Sequence, residues 1–185
     1  MSFVSSYISD LCAAVDNIES EKIEKIIEIL AEVRESGNQI FVCGNGGSAT
    51  TASHMANDLG KGASLQGSNP FKIISLTDNI SWITALANDI NYESIFANQL
   101  KNFAQPNDVL IAISGSGNSP NIVKAVEFAR SAKMKTIGWT GFDGGKISDM
   151  VDLSVIVKST HMGRVEDLHV IMMHMVCYYF IEEKK

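Results

Sequence analysis

Residues 109–121 read V-L-I-A-I-S-G-S-G-N-S-P-N. Five apolar residues in a row give way to small hydroxyls and glycines, and then to a proline. That order describes a buried strand that ends in a tight turn and opens a helix. Pro120 suits the first helical position, behind a Ser119 cap. An earlier stretch has the same grammar: Gln39–Cys43 is an apolar run, Gly44-Asn45-Gly46-Gly47-Ser48 a glycine-rich turn, and a helix is expected from about Ala49 to Leu59. Working outward, Phe71–Leu76 reads as a strand followed by a helix through Trp82 and Leu86. Strands are also expected at 136–140 and 153–157, and a helix from about Val165 to Glu182 ends the chain. Five short apolar runs alternating with helices predict an α/β fold: a doubly wound, five-stranded parallel sheet covered on both faces.

The 185 residues show no linker, repeat or low-complexity segment, so residues 1–185 are expected to form one domain. Within it, 1–36 is a helical segment and 37–185 the α/β core. Residues 3–35 read as largely helical, with Ile23, Ile26, Ile27, Leu30 and Val33 at spacings of three and four and Ile18 and Ile29 widening the stripe. Ser36-Gly37-Asn38 closes it with residues able to take positive φ. This segment has no slot in a doubly wound sheet, so its stripe is expected to bury against a partner subunit.

Hydrophobic residues make up 45% and charged residues 19%, and the net charge is −6 with no lysine or arginine run. Neither nucleic acid nor a membrane surface is an expected partner. Met1-Ser2-Phe3-Val4 begins no basic and apolar leader, and no apolar stretch approaches ~18 residues, so a cytoplasmic protein is expected. Cys12, Cys43 and Cys177 are widely spaced among apolar neighbours and are expected to be buried thiols rather than ligands, nucleophiles or disulfide partners.

In a parallel sheet, ligands bind outside the carboxyl ends of the strands, where helix N-termini point. Both small-residue turns fall there. Gly46, Gly47 and Gly115 let the backbone approach a ligand. Free N–H groups and the helix dipole favour an anion, and Ser48, Ser114, Ser116 and Ser119 add hydroxyl donors. One such turn is ordinary capping chemistry; two at strand ends in one small domain favour a phosphate site. Gly44–Ala49 also fits the G-x-G-x-x-[GA] dinucleotide fingerprint, but no acidic residue closes a second strand ~20 residues on, and residues 60–70 read as a loop instead. Asn45 and Asp78, at strand ends, are candidate contacts for sugar hydroxyls.

These residues resemble the sugar isomerase (SIS) domain family, and within it the phosphoheptose isomerases. The likeness rests on C-G-N-G-G-S-A (43–49), H-M-A-N-D-L (54–59), L-T-D-N (76–79), A-N-D (87–89), D-V-L-I-A-I-S-G-S-G-N-S (108–119), T-G-F-D-G-G (140–145) and V-E-D-L-H-V-I-M-M-H (165–174). It implies a flavodoxin-like fold, a homotetramer with active sites shared between subunits, and interconversion of sedoheptulose 7-phosphate with D-glycero-D-manno-heptose 7-phosphate. A phosphosugar would lie on Ser48, Ser114, Ser116 and Ser119, with Asn88 and Asp89 matching a family dipeptide that contacts the sugar. A related non-enzymatic regulator leaves a binding-only role as the alternative.

The resemblance also implies a catalytic pair, Asp58 as base and His174 as acid, and a metal set of His54, Asp58, Glu166 and His174 suited to zinc. His54 and Asp58 are i and i+4 on one helix face. Glu166 and His174 lie roughly two turns apart on the last helix. Glu166 also counts among the substrate-binding candidates. Two positions depart from the family pattern, which has Glu at Asp58 and Gln at Glu166. His169, among Leu168, Val170 and Ile171, reads as structural; His161 follows Ser159-Thr160 in a loop. Asp143 reads as turn chemistry, and Asp167 either as a sugar contact or as the N-terminal charge of the last helix.

Overall fold

The computed structural model describes residues 2–65 and 69–182. Its elements run α1 (Phe3–Val15), α2 (Ser20–Ser36), β1 (Gln39–Cys43), α3 (Gly47–Asn57), β2 (Lys72–Ser75), α4 (Ile80–Asp89), α5 (Ile95–Phe103), β3 (Val109–Ser114), α6 (Pro120–Ser131), β4 (Lys135–Gly141), α7 (Gly145–Ser148), β5 (Leu153–Val157) and α8 (Met162–Glu182). The five strands pair in parallel in the order β2-β1-β3-β4-β5. The chain leaves β1 to one side for β2 and returns to the other side for β3. The order therefore reverses between β1 and β3, the place where parallel α/β sheets open a crevice.

Strand alternation sorts the core into two layers. Ile40, Val42, Val109, Ile111 and Ile113 face α2, α3 and α8. Phe41, Cys43, Leu110 and Ala112 face α5 and α6. Because α3 and α8 cover the same face, the helices carrying the candidate acid–base residues lie side by side.

The N-terminal segment differs from its sequence reading in two ways. It is two helices, broken after Val15, where the Asn17 amide bonds the Ala13 carbonyl at 2.7 Å in competition with helical continuation. The stripe on α2 also needs no partner: Ile23, Ile26, Leu30 and Val33 are buried within the chain's own core, each worth about 1.5–3 kcal/mol. Gly37 ends α2 at φ 71°, the left-handed cap expected of it. It is α1 that lacks any buried residue, exposing Phe3, Val4 and Ile8.

Other boundaries shift. β2 is shorter than expected, leaving Phe71 and Leu76 outside the strand, and α8 starts at Met162 rather than Val165. Residues 58–63, part of the expected helix end and loop, form a single π-helical turn, Asp58–Ala63; residues 66–68 of that loop lie outside the described residues. Cys12 is exposed rather than buried, because α1 buries nothing; Cys43 and Cys177 are buried as expected. Among the described residues no helix is long and apolar enough to cross a membrane.

Candidate active site

The two glycine–serine turns meet at the β1/β3 switch point. They enclose a cavity of about 160 Å³ lined by Asn45, Ser48, Ile113, Ser114, Gly115, Ser116, Ser119, Met162 and Glu166. At ~30 Å³ per water this is room for about five waters, enough for a tetrahedral oxyanion. Ser48 sits on the first turn of α3, which starts from Gly46 at φ 54° without a side-chain cap. Ser119 caps α6 with its own side chain uncommitted to the helix, and Ser114 Oγ donates to Ser119 Oγ at 3.3 Å. Two helix N-termini and their hydroxyls thus face one small space.

Gly117 makes the second turn possible. It sits at φ 64°, its N–H donates to the Ser114 carbonyl at 2.9 Å, and a Cβ there would lie 1.9 Å from the Gly144 carbonyl oxygen. Only glycine fits. The first turn is held by a reciprocal amide pair: Asn45 donates to Asn121 Oδ1 at 2.9 Å and Asn121 donates back to Asn45 Oδ1 at 2.8 Å. Asn121 is buried and was not foreseen. The available signal was an amide placed directly after the helix-opening proline.

His54, Asp58 and His174 form a second group, with one ligand atom from each within 4.8 Å of the others. His54 Nε2 lies 3.3 Å from Asp58 Oδ2. The His54 and His174 rings meet edge-on at 5.0 Å, and His174 meets Tyr178 at 5.7 Å. Asp58 begins the π-helical turn that follows α3, a distortion common at functional sites. His54 is exposed and the other two are partly so. The nearby Cys177 thiol is pushed up by burial and by the Asp58 charge, and Cys43 is pushed up to about 12 by burial alone. Both stay protonated and take no part.

Glu166 is not in this group. Its carboxylate lies over Gly47, 2.7–2.8 Å from where a Cβ would stand, and so lines the serine pocket. Asp78 accepts from Ser53 and borders a separate depression of about 710 Å³ beside β2, with Trp82 and Phe103. Asn88 and Asp89 occupy the exposed last turn of α4, bonded to each other at 2.9 Å and outside both groups in this chain. Asp167 accepts from the Tyr7 hydroxyl at 2.6 Å, tying α1 to α8; that bond pushes the Tyr7 hydroxyl's pKa up. His161 packs edge-on to Tyr7. His169 is buried with Nε2 3.2 Å from the Thr140 carbonyl, and burial pulls its pKa down to about 4. It is structural, as read. Asp143 accepts from the Gly145 N–H, the turn contact expected of it.

A serine-lined crevice at the switch point of a parallel sheet, with an imidazole–carboxylate group on the same pair of helices, defines an α/β protein with the layout of a small-molecule site. A family model described as "SIS domain" matches residues 5–141. The chain is 41% identical over 157 residues to the phosphoheptose isomerase of Helicobacter pylori, covering 85% of this chain and 81% of that one. It is 40% identical over 157 residues to that of Aliarcobacter butzleri, covering 85% and 82%. The chain belongs to the SIS-domain family and, within it, to the phosphoheptose isomerases. Among solved structures it is similar to phosphoheptose isomerase GmhA from Neisseria gonorrhoeae (TM-score 0.88, 30% identity, 96% of each chain covered). It is likewise similar to a phosphoheptose isomerase from Francisella tularensis (TM-score 0.90, 29% identity, 97% of this chain and 96% of that one).

Proposed function

We propose that this chain interconverts sedoheptulose 7-phosphate and D-glycero-D-manno-heptose 7-phosphate, with the phosphate in the serine pocket and the carbonyl end against Asp58 and His174. The observation that carries this reading is the placement of both groups on one helix pair: Ser48 and Glu166 at the start of α3 and α8, His54 and His174 further along. Along α3 the rise from Ser48 to His54 is about 9 Å at ~1.5 Å per residue, commensurate with an extended seven-carbon chain. Aldose–ketose isomerisation moves a proton between C1 and C2 through an enediol. Asp58 takes the carbon-bound proton and returns it to the neighbouring carbon, while His174 transfers a proton at oxygen. Fixing the phosphate makes those transfers intramolecular in geometry.

Two imidazole nitrogens and a carboxylate oxygen within 4.8 Å suit zinc with a fourth position left open, so His54, Asp58 and His174 are the residues that would hold it. A divalent metal there would polarise the substrate carbonyl and stabilise the developing oxyanion. The reading also takes the enzyme to be a cytoplasmic homotetramer. Its support is the exposed apolar face of α1, the exposed Ile74 on edge strand β2 and Ile80 at the start of α4, and the position of Asn88 and Asp89, which are exposed and line neither group of their own chain. Free thiols suit a reducing compartment.

The test is incubation with sedoheptulose 7-phosphate and zinc in deuterated water. Aldose product with deuterium at C1 or C2 is expected. Saturable binding without exchange would replace the enzyme reading with a phosphosugar-binding one.

A further inference from the structure

Resting on the phosphate pocket proposed above, we infer that Asn121 is a positioning residue for it: it fixes which end of the Asn45 amide meets the ligand, and so adds a neutral N–H donor to the four serine hydroxyls. Asn45 lines the cavity and Asn121 does not. Asn121 is 1% exposed and is the second residue of α6, two positions after Ser119.

An amide side chain has an acceptor end and a donor end, and a half-turn exchanges them. Here the exchange is blocked by a chain of bonds that begins on the backbone. The Ile122 N–H can only donate, and it lies 3.1 Å from Asn121 Oδ1, which makes that atom the oxygen. Asn121 Nδ2 then donates to Asn45 Oδ1 at 2.8 Å, and Asn45 Nδ2 donates back to Asn121 Oδ1 at 2.9 Å. The Tyr92 hydroxyl donates to the same Asn45 oxygen at 3.1 Å. Reversing Asn45 would set donor against donor and acceptor against acceptor across the pair, leaving buried polar groups unpaired. Asn45 Nδ2 keeps a second hydrogen beyond the one given to Asn121, and this is what Asn45 has to offer the cavity it lines. A hydrogen bond from it to an oxyanion is charge-assisted; a reversed amide would offer the anion a carbonyl oxygen instead. The pair also ties the two turns together, since Asn45 lies in the first and Asn121 on the helix that the second opens.

The discriminating experiment is calorimetric titration of the full-length native assembly with inorganic phosphate, for wild type, Asn45→Ala, Asn121→Leu and the double variant. Leucine keeps the volume of the buried asparagine and removes its bonds. Each single variant is expected to bind phosphate roughly tenfold more weakly, the size of one hydrogen bond to a charged group. The double variant should lose about as much as Asn45→Ala alone, within about threefold, because Asn121 acts only through Asn45. Asn121→Ala, which removes the same bonds without added bulk, should repeat this pattern and covers the case in which leucine does not fit. In isomerase assays both single variants should show the loss in KM, with kcat within about threefold of wild type. Wild-type phosphate affinity in either single variant, losses that multiply to about a hundredfold in the double variant, or a fall in kcat with KM unchanged overturns the inference while leaving the phosphate pocket standing. Failure of wild type to bind phosphate overturns the pocket itself and the inference with it.

Discussion

The two halves of the site are built from different materials. The serine pocket is framed chiefly by strand ends, glycine turns and helix starts, with Ser48 and Ser114 buried and Met162 and Glu166 of α8 closing one side. The His54/Asp58/His174 group is made of side chains on α3, the turn that follows it and α8, with His54 exposed and the other two partly buried. The difference teaches that the serine pocket belongs to the fold, whereas the His54/Asp58/His174 group is carried by side chains placed upon it. Disturbing the first should disturb the protein; disturbing the second should disturb only the chemistry.

The largest expected effect breaks the chemical half alone. His174→Ala should lower turnover by roughly 10²–10⁴-fold, the usual range for one proton-transfer residue, with inorganic phosphate affinity and melting temperature nearly unchanged. Steady-state isomerisation, calorimetry and thermal denaturation on one preparation check all three. An equal loss of phosphate binding would erase the division between the halves.

Gly117→Ala should do the reverse. The new methyl would stand 1.9 Å from the Gly144 carbonyl at a φ of 64°, so the turn must open. Strain and overpacking together should destabilise the fold by roughly 3–5 kcal/mol, and phosphate binding should fall with it. A variant that melts within a degree or two of wild type would mean that the turn is not the rigid wall described above.

The same division explains what could be read without coordinates. Strand periodicity and the order strand, glycine turn, helix are local, and they announced the sheet and the pocket together: Val109–Ile113 and Gln39–Cys43 are the neighbouring strands at the switch point. Side-chain placement is tertiary and was less legible. Glu166 carries the same chemistry as a metal ligand or a pocket wall, and only the absent Cβ of Gly47 decides where it lies. Asn88 and Asp89 match a motif, yet nothing in the motif says that α4 points them into solvent. The helix α5 escaped notice because Asn98, Gln99, Lys101 and Asn102 interrupt its apolar pattern; Gln99 is nonetheless buried, bonding the Leu76 carbonyl at 2.9 Å. The break between α1 and α2 hid behind isoleucines that continue across it.

The smallest effect, and the one that links the halves, concerns His169. It lies on α8 between Glu166 and His174, and its ring meets the Thr140 carbonyl on β4, so it pins the helix that carries one residue of each half. Burial holds its folded pKa at about 4, below the unfolded 6.5. The unfolded chain therefore binds the extra proton in the interval between those values. The stabilisation from keeping the ring neutral is complete above pH 6.5 and is lost as pH falls toward 4. At about 1.4 kcal/mol per unit, the loss is about 2 kcal/mol by pH 5 and about 3 kcal/mol by pH 4. His169→Asn removes the titration, so the difference between wild-type and variant unfolding free energies should shrink by that amount from pH 7 to pH 4. Because α8 serves both halves, phosphate binding and turnover should decline together in acid, unlike the separation expected for His174→Ala. A constant difference across that range would show the ring to be hydrated in the native protein, and α8 to be held by its apolar contacts alone.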